Sequence, residues 1–455
     1  MGDYTILITG ANSGLGLSTC QRLIDEWLST RPASQSLHII FTTRSPSKRD
    51  ATLSTLGAHL DRTIASVYGT EAKTAGIREL QKKRVRIEGL LADLCDLTSV
   101  KRLADALKGR GQKVDVLICN AGIGGWKGID WLPATWAMLT NILEATTFPR
   151  FKIGEVGKTV KSAAADAKND VAEAEQNVGH AGDVLGETFT SNVFGHYILA
   201  SRLAPLMVRK EKEAPARIVW ISSIEAFEKF FDLDDMQALE VAHSYESSKR
   251  LTDLLALTSD MPSTRTYLES FYSAGSGSRS NSPKMRDSTE LVVVENDTTV
   301  HPRMYLSHPG VCVTSISGIH WFLVYFFTAS LYLARWLGSP WHPISSYTGA
   351  VSTVWLALTG ADILDGLEGE QGKGKWGAAT DRIGNERAVR TEVDGWGFGG
   401  KEGETADGIW RVEARRGTNK VVTKDEREDF AVKGARVWKE MESLRQHWEH
   451  KLDRL

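Results

Sequence analysis

The residues best suited to chemistry are Tyr245 and Lys249, which lie four positions apart in the stretch SYESSKR. On a helix this spacing places both side chains on one face. A tyrosine phenol has an ordinary pKa of about 10, so only about one in a thousand is ionised at neutral pH. A neighbouring ammonium group lowers that pKa and makes the phenol a usable proton donor and acceptor. The spacing alone is common, and a solvent-facing pair is the alternative, so the surrounding residues decide the interpretation.

Polar residues upstream of this pair could complete such a site. The segment RIVWISS predicts a buried strand that ends in Ser222 and Ser223. A serine at the carboxyl end of a strand can hydrogen-bond a carbonyl, because ligands of open α/β sheets bind at that edge. Asn192 lies within the apolar helical stretch SNVFGHYILASRL, where a buried amide needs partners. It could support a water relay to Lys249, or it could be a satisfied amide of the core.

The amino-terminal stretch TILITGANSGLG predicts a phosphate-binding turn between a strand and a helix. Gly10 permits the sharp turn, while Gly14 and Gly16 let the backbone approach a pyrophosphate. The helix N-terminus then presents free N–H groups and a partial positive charge to the phosphates. This context favours a nucleotide site over a purely structural glycine turn. The predicted contacts in the turn are Gly10, Asn12, Ser13, Gly14, Leu15 and Gly16.

The end of the second predicted strand, FTTRSPSKR, indicates which nicotinamide dinucleotide the chain prefers. A site for NAD usually has an acidic residue there for the ribose 2′-hydroxyl. This chain has Arg44, with Lys48 and Arg49 nearby, and an arginine can pair with a 2′-phosphate in bidentate fashion. The pattern favours NADP(H), and a solvated loop arginine is the alternative.

Asp93, after the third strand, could contact the adenine. The CNAG stretch that ends the fourth strand predicts cofactor contacts at Asn120, Ala121 and Gly122.

Strand-like and helix-like segments alternate along the first third of the chain. Apolar, β-branched runs predict strands, and helical periodicity predicts helices such as Leu15–Leu28 and Ser99–Leu107. This alternation indicates βαβ units, and strands this apolar are expected where helices cover both faces of a sheet. The predicted fold class is therefore α/β, a Rossmann-type doubly wound parallel sheet with helices on both faces. The predicted strands are Thr5–Thr9, Leu37–Thr43, Val85–Leu91, Val114–Cys119 and Arg217–Ile221.

The sequence predicts a Rossmann-type domain over residues 1–358 and a C-terminal extension over residues 359–455. Insertions at 126–186 and 259–299 interrupt the first domain. One contains KSAAADAKNDVAEAEQ, a predicted surface helix, and the other contains SAGSGSRSNSPKMRDS, which is predicted to be disordered. Residues 360–420 are rich in glycine and charge and show little core signal. The chain ends in a predicted amphipathic helix, whose apolar stripe comprises Val437, Met441, Leu444, Trp448 and Leu452.

Composition narrows the functional classes further. A formal net charge of -2 gives no reason to expect nucleic-acid binding. The four cysteines lack any CxxC pair, which argues against a disulfide framework and against a zinc site, and fits a reducing compartment. They are Cys20, Cys95, Cys119 and Cys312. The first predicted strand begins at Thr5, which leaves no room for a signal peptide.

The stretch HWFLVYFFTASLYLARW, His320 to Trp336, is unusual for a nucleotide-binding domain. Its charge-free part, Trp321 to Ala334, would form a helix of about 21 Å, short of the roughly 30 Å hydrocarbon core of a bilayer. Residues 319–337 are therefore predicted to associate with a membrane by lying at its interface or re-entering it. Tryptophans and tyrosines in and after the run suit the headgroup boundary. The alternative is a core helix of a large substrate-binding region.

Taken together, the motifs resemble the short-chain dehydrogenase/reductase family over most of residues 1–315. The matching stretches are TGANSGLG, NAG, SNVFG, ISS, YESSK and HPGVCVT, in this order. The resemblance implies that Tyr245 is the general acid–base, and that Lys249 lowers its pKa and holds the nicotinamide ribose. It implies that Ser223 orients the carbonyl and that Asn192 completes the relay. The cofactor contacts that it adds are Pro309, Gly310 and Thr314.

The chain departs from the usual family pattern between Ser223 and Tyr245, which are 22 residues apart. This separation is longer than is usual in the family. The extra residues, IEAFEKFFDLDDMQALEVAHS, are predicted to form a loop beside the pocket.

Within that family, the chain is similar to the 3-keto-steroid reductases of sterol C-4 demethylation. The similarity rests on NVFGHYILASRLAPLM, SYESSKRLTDLLAL, the long segment after NAG, the apolar stretch after HPG, and YTGAVSTVWLAL. It implies NADPH-dependent reduction of a 3-keto sterol, 4-methylated or demethylated, to the 3β-alcohol. It also implies residence on the cytosolic face of the endoplasmic reticulum membrane or of lipid droplets, beside other sterol-biosynthesis enzymes. Residues 360–437 and the Ser/Gly-rich insertion are expected to be particular to this chain.

Two other functions are compatible with the sequence. The same motifs would serve a short-chain reductase of another lipid carbonyl, such as a retinal or an acyl ketone. A membrane scaffold for sterol enzymes, which uses NADPH mainly for stability, belongs to a different class. The complete set of Tyr245, Lys249, Ser223 and Asn192 argues against a purely structural role.

Overall fold

The computed structural model describes residues 3–160, 184–274, 299–313, 323–401 and 422–454. The predicted alanine-rich helix, the stretch SAGSGSRSNSPKMRDS apart from its first two residues, and Thr314 lie outside the described residues.

The described strands form one large sheet and two small antiparallel pairs. They are β1 (Tyr4–Ile8), β2 (Leu37–Thr43), β3 (Val85–Leu91), β4 (Val116–Cys119), β5 (Trp126–Ile129), β6 (Lys152–Gly154), β7 (Arg209–Lys210), β8 (Arg217–Ile221), β9 (Thr299–Val300), β10 (Arg303–His308), β11 (Lys375–Thr380) and β12 (Glu386–Thr391). The large sheet has the order β12-β11-β10-β8-β4-β1-β2-β3. Its neighbours are parallel except for β11 and β12. The pairs β5–β6 and β7–β9 lie outside it.

Helices connect the strands and cover the sheet. They are α1 (Gly14–Thr30), α2 (Pro46–Tyr68), α3 (Ala75–Lys83), α4 (Leu97–Gly109), α5 (Trp131–Thr140), α6 (Ile142–Thr147), α7 (Glu187–Phe189), α8 (Gly195–Met207), α9 (Ser244–Thr258), α10 (Arg265–Ser273), α11 (Leu323–Trp336), α12 (Ser346–Gly349), α13 (Val351–Leu358), α14 (Ala361–Gln371) and α15 (Lys424–Leu452). A π-helical turn, Thr190–Phe194, leads into α8.

The core lies on both faces of the sheet because side chains alternate along each strand. Ile6 and Ile8 of β1 pack with α1, α2 and α13 on one face. Leu7, between them, packs with α4, α8, α9 and α15 on the other. The predicted Rossmann-type fold with helices on both faces is therefore confirmed.

The sheet continues beyond the predicted domain boundary at residue 358. β11 and β12 add its last two strands, and Trp376 and Val389 on them are buried. The region 360–420 showed little core signal because these strands are short and rich in small or charged residues. The boundary thus does not separate the sheet from the C-terminal region.

The final helix also belongs to this core. α15 packs against α9, and the Nε1 of Trp438 donates a hydrogen bond to the Leu255 carbonyl at 3.2 Å. Val437 and Met441 of the predicted stripe are fully buried. The C-terminal helix therefore stabilises the helix that carries Tyr245.

The apolar run forms α11 over its described part, with two unlike faces. Leu331 and Ala334 are fully buried, whereas Tyr325 and Phe326 are 73% and 74% exposed. Over the described residues, no single helix has the length and apolar composition needed to cross a bilayer. One pair of helices, Ser346–Leu358 with Ala361–Gln371, meets those criteria jointly, with a bend of 100° between them.

Candidate active site

The predicted catalytic residues converge at the carboxyl end of β8. The first turn of α9 presents Tyr245, and the Ser223 side chain at the end of β8 is close enough to its phenol to lower the phenol's pKa. The Nζ of Lys249, one helical turn later, lies 5.6 Å from the centroid of the Tyr245 ring. It donates a hydrogen bond of 2.8 Å to the Ile221 carbonyl. Strand and helix thus bring the phenol, a hydroxyl and an ammonium group together.

The pKa of Tyr245 is raised to about 12, where the sequence predicted a lowered value. Burial of the phenol is the main cause, and the carboxylate of Glu225 adds to it. The Ser223 hydroxyl and the charge of Lys152 lower the pKa of the phenol. The phenol therefore stays protonated at neutral pH, as a proton donor must.

Lys249 has the opposite shift. Burial lowers its pKa to about 8, and the nearby charge of Lys375 contributes, while Asp253 opposes both. Lys375 and Asp253 form a fully buried ion pair with a 2.7 Å distance between Nζ and Oδ2. The Lys375 Nζ also donates to the Ser223 carbonyl at 2.7 Å. Lys375 lies on β11 and Asp253 on α9, so this ion pair fixes the turn that carries Ser223. Sequence reasoning did not predict it.

The two serines of the ISS motif have different surroundings. Ser222 is buried and donates its hydroxyl to the Asp253 carboxylate. Ser223 instead accepts the N–H of Glu225 at 3.1 Å, and its hydroxyl lowers the pKa of the nearby Tyr245 phenol. Only Ser223 is placed to meet a substrate carbonyl beside Tyr245.

Asn192 lies in the π-helical turn before α8, a local distortion that is frequent at functional sites. Its Oδ1 accepts the Ile123 N–H at 2.8 Å, and its Nδ2 donates to the Ile123 carbonyl and the Ser248 hydroxyl, both at 3.0 Å. The amide therefore ties the loop after β4 to α9. The water relay to Lys249 stays a prediction.

The turn between β1 and α1 has the shape that a dinucleotide requires. Gly10 has φ +66°, and a Cβ there would lie 2.7 Å from the Ala121 Cβ. A Cβ on Gly16 would lie 2.5 Å from the Asn120 Nδ2. The side chain of Ser13 forms no capping hydrogen bond at the start of α1, so it does not occupy the first-turn N–H groups. The described residues thus fit a pyrophosphate at this helix N-terminus.

Thr9 organises the same turn, although sequence reasoning did not single it out. Its Oγ1 accepts the backbone N–H groups of Asn120 at 2.9 Å and Ala121 at 3.0 Å. The Nε2 of buried His196 lies 2.7 Å from the same oxygen. Thr9 therefore fixes the loop after β4 against the glycine turn.

Arg44 and Asp93 lie at the ends of β2 and β3. The Arg44 Nη1 is 4.0 Å from the Asp93 Oδ2, and the arginine side chain is 67% exposed. The Asp93 Oδ1 accepts the Cys95 N–H at 3.0 Å. A guanidinium group on this edge is therefore free of a tight ion pair and accessible from solvent.

The remaining predicted cofactor contacts follow the strand β10. Pro309 and Gly310 begin the loop after it, and Gly310 has φ +65° with its N–H bonded to the His308 Nδ1 at 3.1 Å. The loop thus leaves the sheet at the edge where Ser223 and Tyr245 lie, since β10 is parallel to β8.

A small cavity is lined by Glu225 and Glu246, which neighbour the site, and the loop between Ser223 and Tyr245 supplies part of its wall. Phe227 and Phe230 from this loop face Phe148 and Arg150 from the first insertion. The predicted loop is therefore present, and its aromatic side chains line this cavity; its place beside the substrate pocket stays a prediction.

Comparison with known proteins decides the family. The chain is 41% identical to a 3-keto-steroid reductase (erg27) of Aspergillus fumigatus, over 98% of this chain and 94% of that protein. The chain belongs to the family of 3-keto-steroid reductases. It is 35% identical to the member named ERG27 from Gibberella zeae, again over 98% and 94%, and 31% identical to that from Saccharomyces cerevisiae, over 88% and 92%. The predicted resemblance to this family is thus confirmed.

Two other comparisons do not identify the family. No protein-family model matches the chain. Salutaridine reductase from Papaver somniferum matches with 17% identity and a TM-score of 0.37, over 79% of this chain and 97% of that one.

Proposed function

We propose that the chain reduces a 3-keto sterol to the 3β-hydroxy sterol with NADPH, during sterol C-4 demethylation. The similarity to named 3-keto-steroid reductases over nearly the whole chain carries this proposal. The cluster of Tyr245, Ser223 and Lys249 supports it, because a reductase needs a proton donor beside the carbonyl oxygen.

In the proposed mechanism, bound NADPH supplies the hydride that reaches C3 of the sterol. Ser223 donates a hydrogen bond to the C3 carbonyl oxygen and holds it at the phenol. Tyr245 donates its proton to that oxygen as negative charge develops there. Lys249 holds the nicotinamide ribose and, with Asn192 and water, returns a proton to Tyr245. The raised pKa of the phenol favours this direction, since a protonated tyrosine is the required species.

The preference for NADPH rests on the edge formed by the ends of β2 and β3. Arg44 is exposed there and can pair with a 2′-phosphate, whereas an acidic residue at its position would repel one. The glycine turn of Gly10 to Gly16 receives the pyrophosphate.

The same proposal places the protein on the cytosolic face of the endoplasmic reticulum membrane or of lipid droplets, with other sterol enzymes. The exposed aromatic residues of α11 support membrane contact. α5 adds Leu132, Trp136 and Leu139, which form an exposed apolar stripe at helical spacing. α6 packs against both helices and leads into Phe148 at the cavity.

A substrate panel tests the proposed reaction. Detergent-solubilised protein with NADPH is given a 4-methyl-3-keto sterol, a retinal or a long-chain acyl ketone, and the loss of NADPH absorbance is followed. We expect turnover of the sterol, with the other carbonyls at least about tenfold slower, because a pocket shaped for one ligand discriminates by a few kcal/mol. Preferential reduction of another carbonyl would move the function to that lipid class. Binding of NADPH without any turnover would favour the scaffold.

A further inference from the structure

A hairpin from the first insertion covers the catalytic tyrosine. β5 and β6 pair antiparallel, and the Trp126 ring of β5 lies 4.8 Å from the Tyr245 ring, centroid to centroid. Lys152 of β6 places its Nζ 4.5 Å from the Trp126 centroid and 5.3 Å from that of Tyr245. The hairpin therefore brings a cation to the phenol from a segment that none of the family motifs includes.

Two carboxylates that neighbour catalytic residues hold this cation in place. The Lys152 Nζ is 2.5 Å from the Glu225 Oε2 and 2.9 Å from the Glu246 Oε1. Glu246 directly follows Tyr245, and the Glu225 N–H bonds the Ser223 hydroxyl. The three charged side chains are at most 15% exposed, so their charges interact more strongly than on an open surface.

We infer that Lys152 is a positioning residue that keeps Tyr245 a competent acid–base group, an inference that rests on the proposed function. Its ammonium group neutralises Glu225 and Glu246 beside the phenol. It also joins the turn that carries Ser223 to the helix start that carries Tyr245. The acidity of the phenol then depends on a charge that the inserted hairpin supplies.

The charges that face Tyr245 explain why a second lysine matters. Burial, Glu225 and Glu246 all raise the pKa of the phenol, and Lys152 lowers it. Removal of Lys152 would take away the ammonium group that contacts both carboxylates directly. Arg150, Lys229 and His243 also line the cavity beside Glu225 and Glu246, and the His243 Nδ1 is 4.0 Å from the Glu246 Oε2.

Lys249 does not replace Lys152 in this role. Burial lowers the pKa of Lys249 to about 8, so this lysine loses charge in mildly alkaline solution. Burial also opposes the charge on Lys152, but Glu225 and Glu246 outweigh it and raise the pKa of Lys152. Lys152 therefore remains a cation where Lys249 begins to titrate.

The pH dependence of the reverse reaction tests this role, because alcohol oxidation requires the ionised phenol. Lys152→Met, Lys152→Arg and Lys158→Met are compared in the oxidation of a 4-methyl-3β-hydroxy sterol with NADP⁺. Lys158 is the matched control, since it lies in the same insertion and bridges Glu155 and Glu187. We expect Lys152→Met to move the ascending limb of kcat/KM, where rate rises with pH, to higher pH by about one unit, which is about a tenfold loss below the limb. The arginine variant and the control should keep the wild-type limb.

An unchanged limb in Lys152→Met would overturn the inference, even if overall activity fell, since a packing role alone lowers the rate without moving the pKa. If Lys152→Met does not fold, the double variant Glu225→Gln/Glu246→Gln serves instead. It removes both negative charges, so its limb should move to lower pH, and an unmoved limb would again contradict the inference.

A second readout needs no turnover and separates this inference from the proposed function. The ultraviolet absorbance of tyrosinate is titrated with NADP⁺ present, and each protein is compared with its Tyr245→Phe version, so that Tyr245 is isolated. Lys152→Met should ionise Tyr245 at higher pH than wild type. If that shift appears while the sterol is not turned over, the proposed substrate fails and the role of Lys152 stands. If the sterol is turned over without the shift, the role of Lys152 fails.

Discussion

At the residue scale, burial decides the protonation states in the site. It raises the pKa of Tyr245 and lowers that of Lys249, so that both groups shift toward their neutral forms. The buried charge of Lys375 strengthens the second shift. A protonated phenol beside a hydroxyl suits the donation of a proton to a carbonyl oxygen.

Arg44 gives a residue-scale prediction about the cofactor. In Arg44→Asp, the new carboxylate repels a 2′-phosphate and accepts the 2′-hydroxyl of NADH instead. The ratio of kcat/KM for NADPH over NADH should fall by about tenfold or more, as expected for a lost hydrogen bond to a charged group. Steady-state kinetics with both cofactors measure it. Arg86→Asp, at the opposite end of β3, should leave the ratio unchanged, and an equal ratio in both variants would exclude Arg44 from the phosphate site.

The sequence could predict Tyr245, Lys249 and Ser223 because local motifs carry them. It could not predict Lys152, which is 93 positions before Tyr245 in the chain and reaches it only through the folded hairpin. Nor could it predict Lys375, whose strand shows no alternating pattern. The net direction of the Tyr245 pKa was also wrong in the sequence prediction, because it depends on burial and on Glu225.

At the element scale, the strands that could be predicted are those rich in apolar or β-branched residues. β2, β3 and β8 have the predicted bounds, since their apolar runs end at turn residues. β11, with the sequence KWGAAT, escaped prediction because small residues dominate it. Its Lys375 is nevertheless buried, and the partner Asp253 on α9 makes that burial possible.

α11 gives an element-scale prediction about membrane contact. Tyr325→Ser/Phe326→Ser should weaken binding to phosphatidylcholine vesicles by about tenfold or more, because each apolar side chain contributes about 1.5 kcal/mol or more on burial. Co-sedimentation measures this binding. Leu80→Ser serves as the control, since Leu80 is also exposed, on α3 at the other side of the sheet. Equal binding of the double variant and the control would remove α11 from the proposed membrane surface.

At the scale of the whole molecule, the sheet couples distant segments into one folded unit. The strands β11 and β12 and the helix α15 lie beyond the predicted boundary, yet they pack on the same core as β1. Truncation after residue 358 would therefore expose the sheet edge at β10 and uncover α9.

Two buried histidines give a prediction about stability and pH. Burial lowers the pKa of His196 to about 3 and that of His342 to about 4, below the ordinary value of about 6.5. Below that value the unfolded chain binds protons that the folded chain does not, so stability falls as the pH drops from about 6.5 to 4. Each histidine contributes up to about 1.4 kcal/mol per pH unit.

Urea denaturation at about pH 7 and pH 5 measures this effect. His342→Asn should lose less stability between the two pH values than wild type does. The exposed-histidine variant His450→Asn should keep the wild-type difference. The same difference in all three proteins would show that His342 does not contribute to the pH dependence.

The central claim is tested most directly by identifying the product of a single reaction. Wild type and Tyr245→Phe are incubated with a 4-methyl-3-keto sterol and NADPH that carries deuterium at the transferable position of the nicotinamide. The sterols are then analysed by mass spectrometry against 3α- and 3β-alcohol standards. We predict a 3β-alcohol with one deuterium at C3 from wild type, and no product from Tyr245→Phe despite retained NADPH binding. Undiminished product from Tyr245→Phe, or no deuterium at C3, would contradict the proposed reaction.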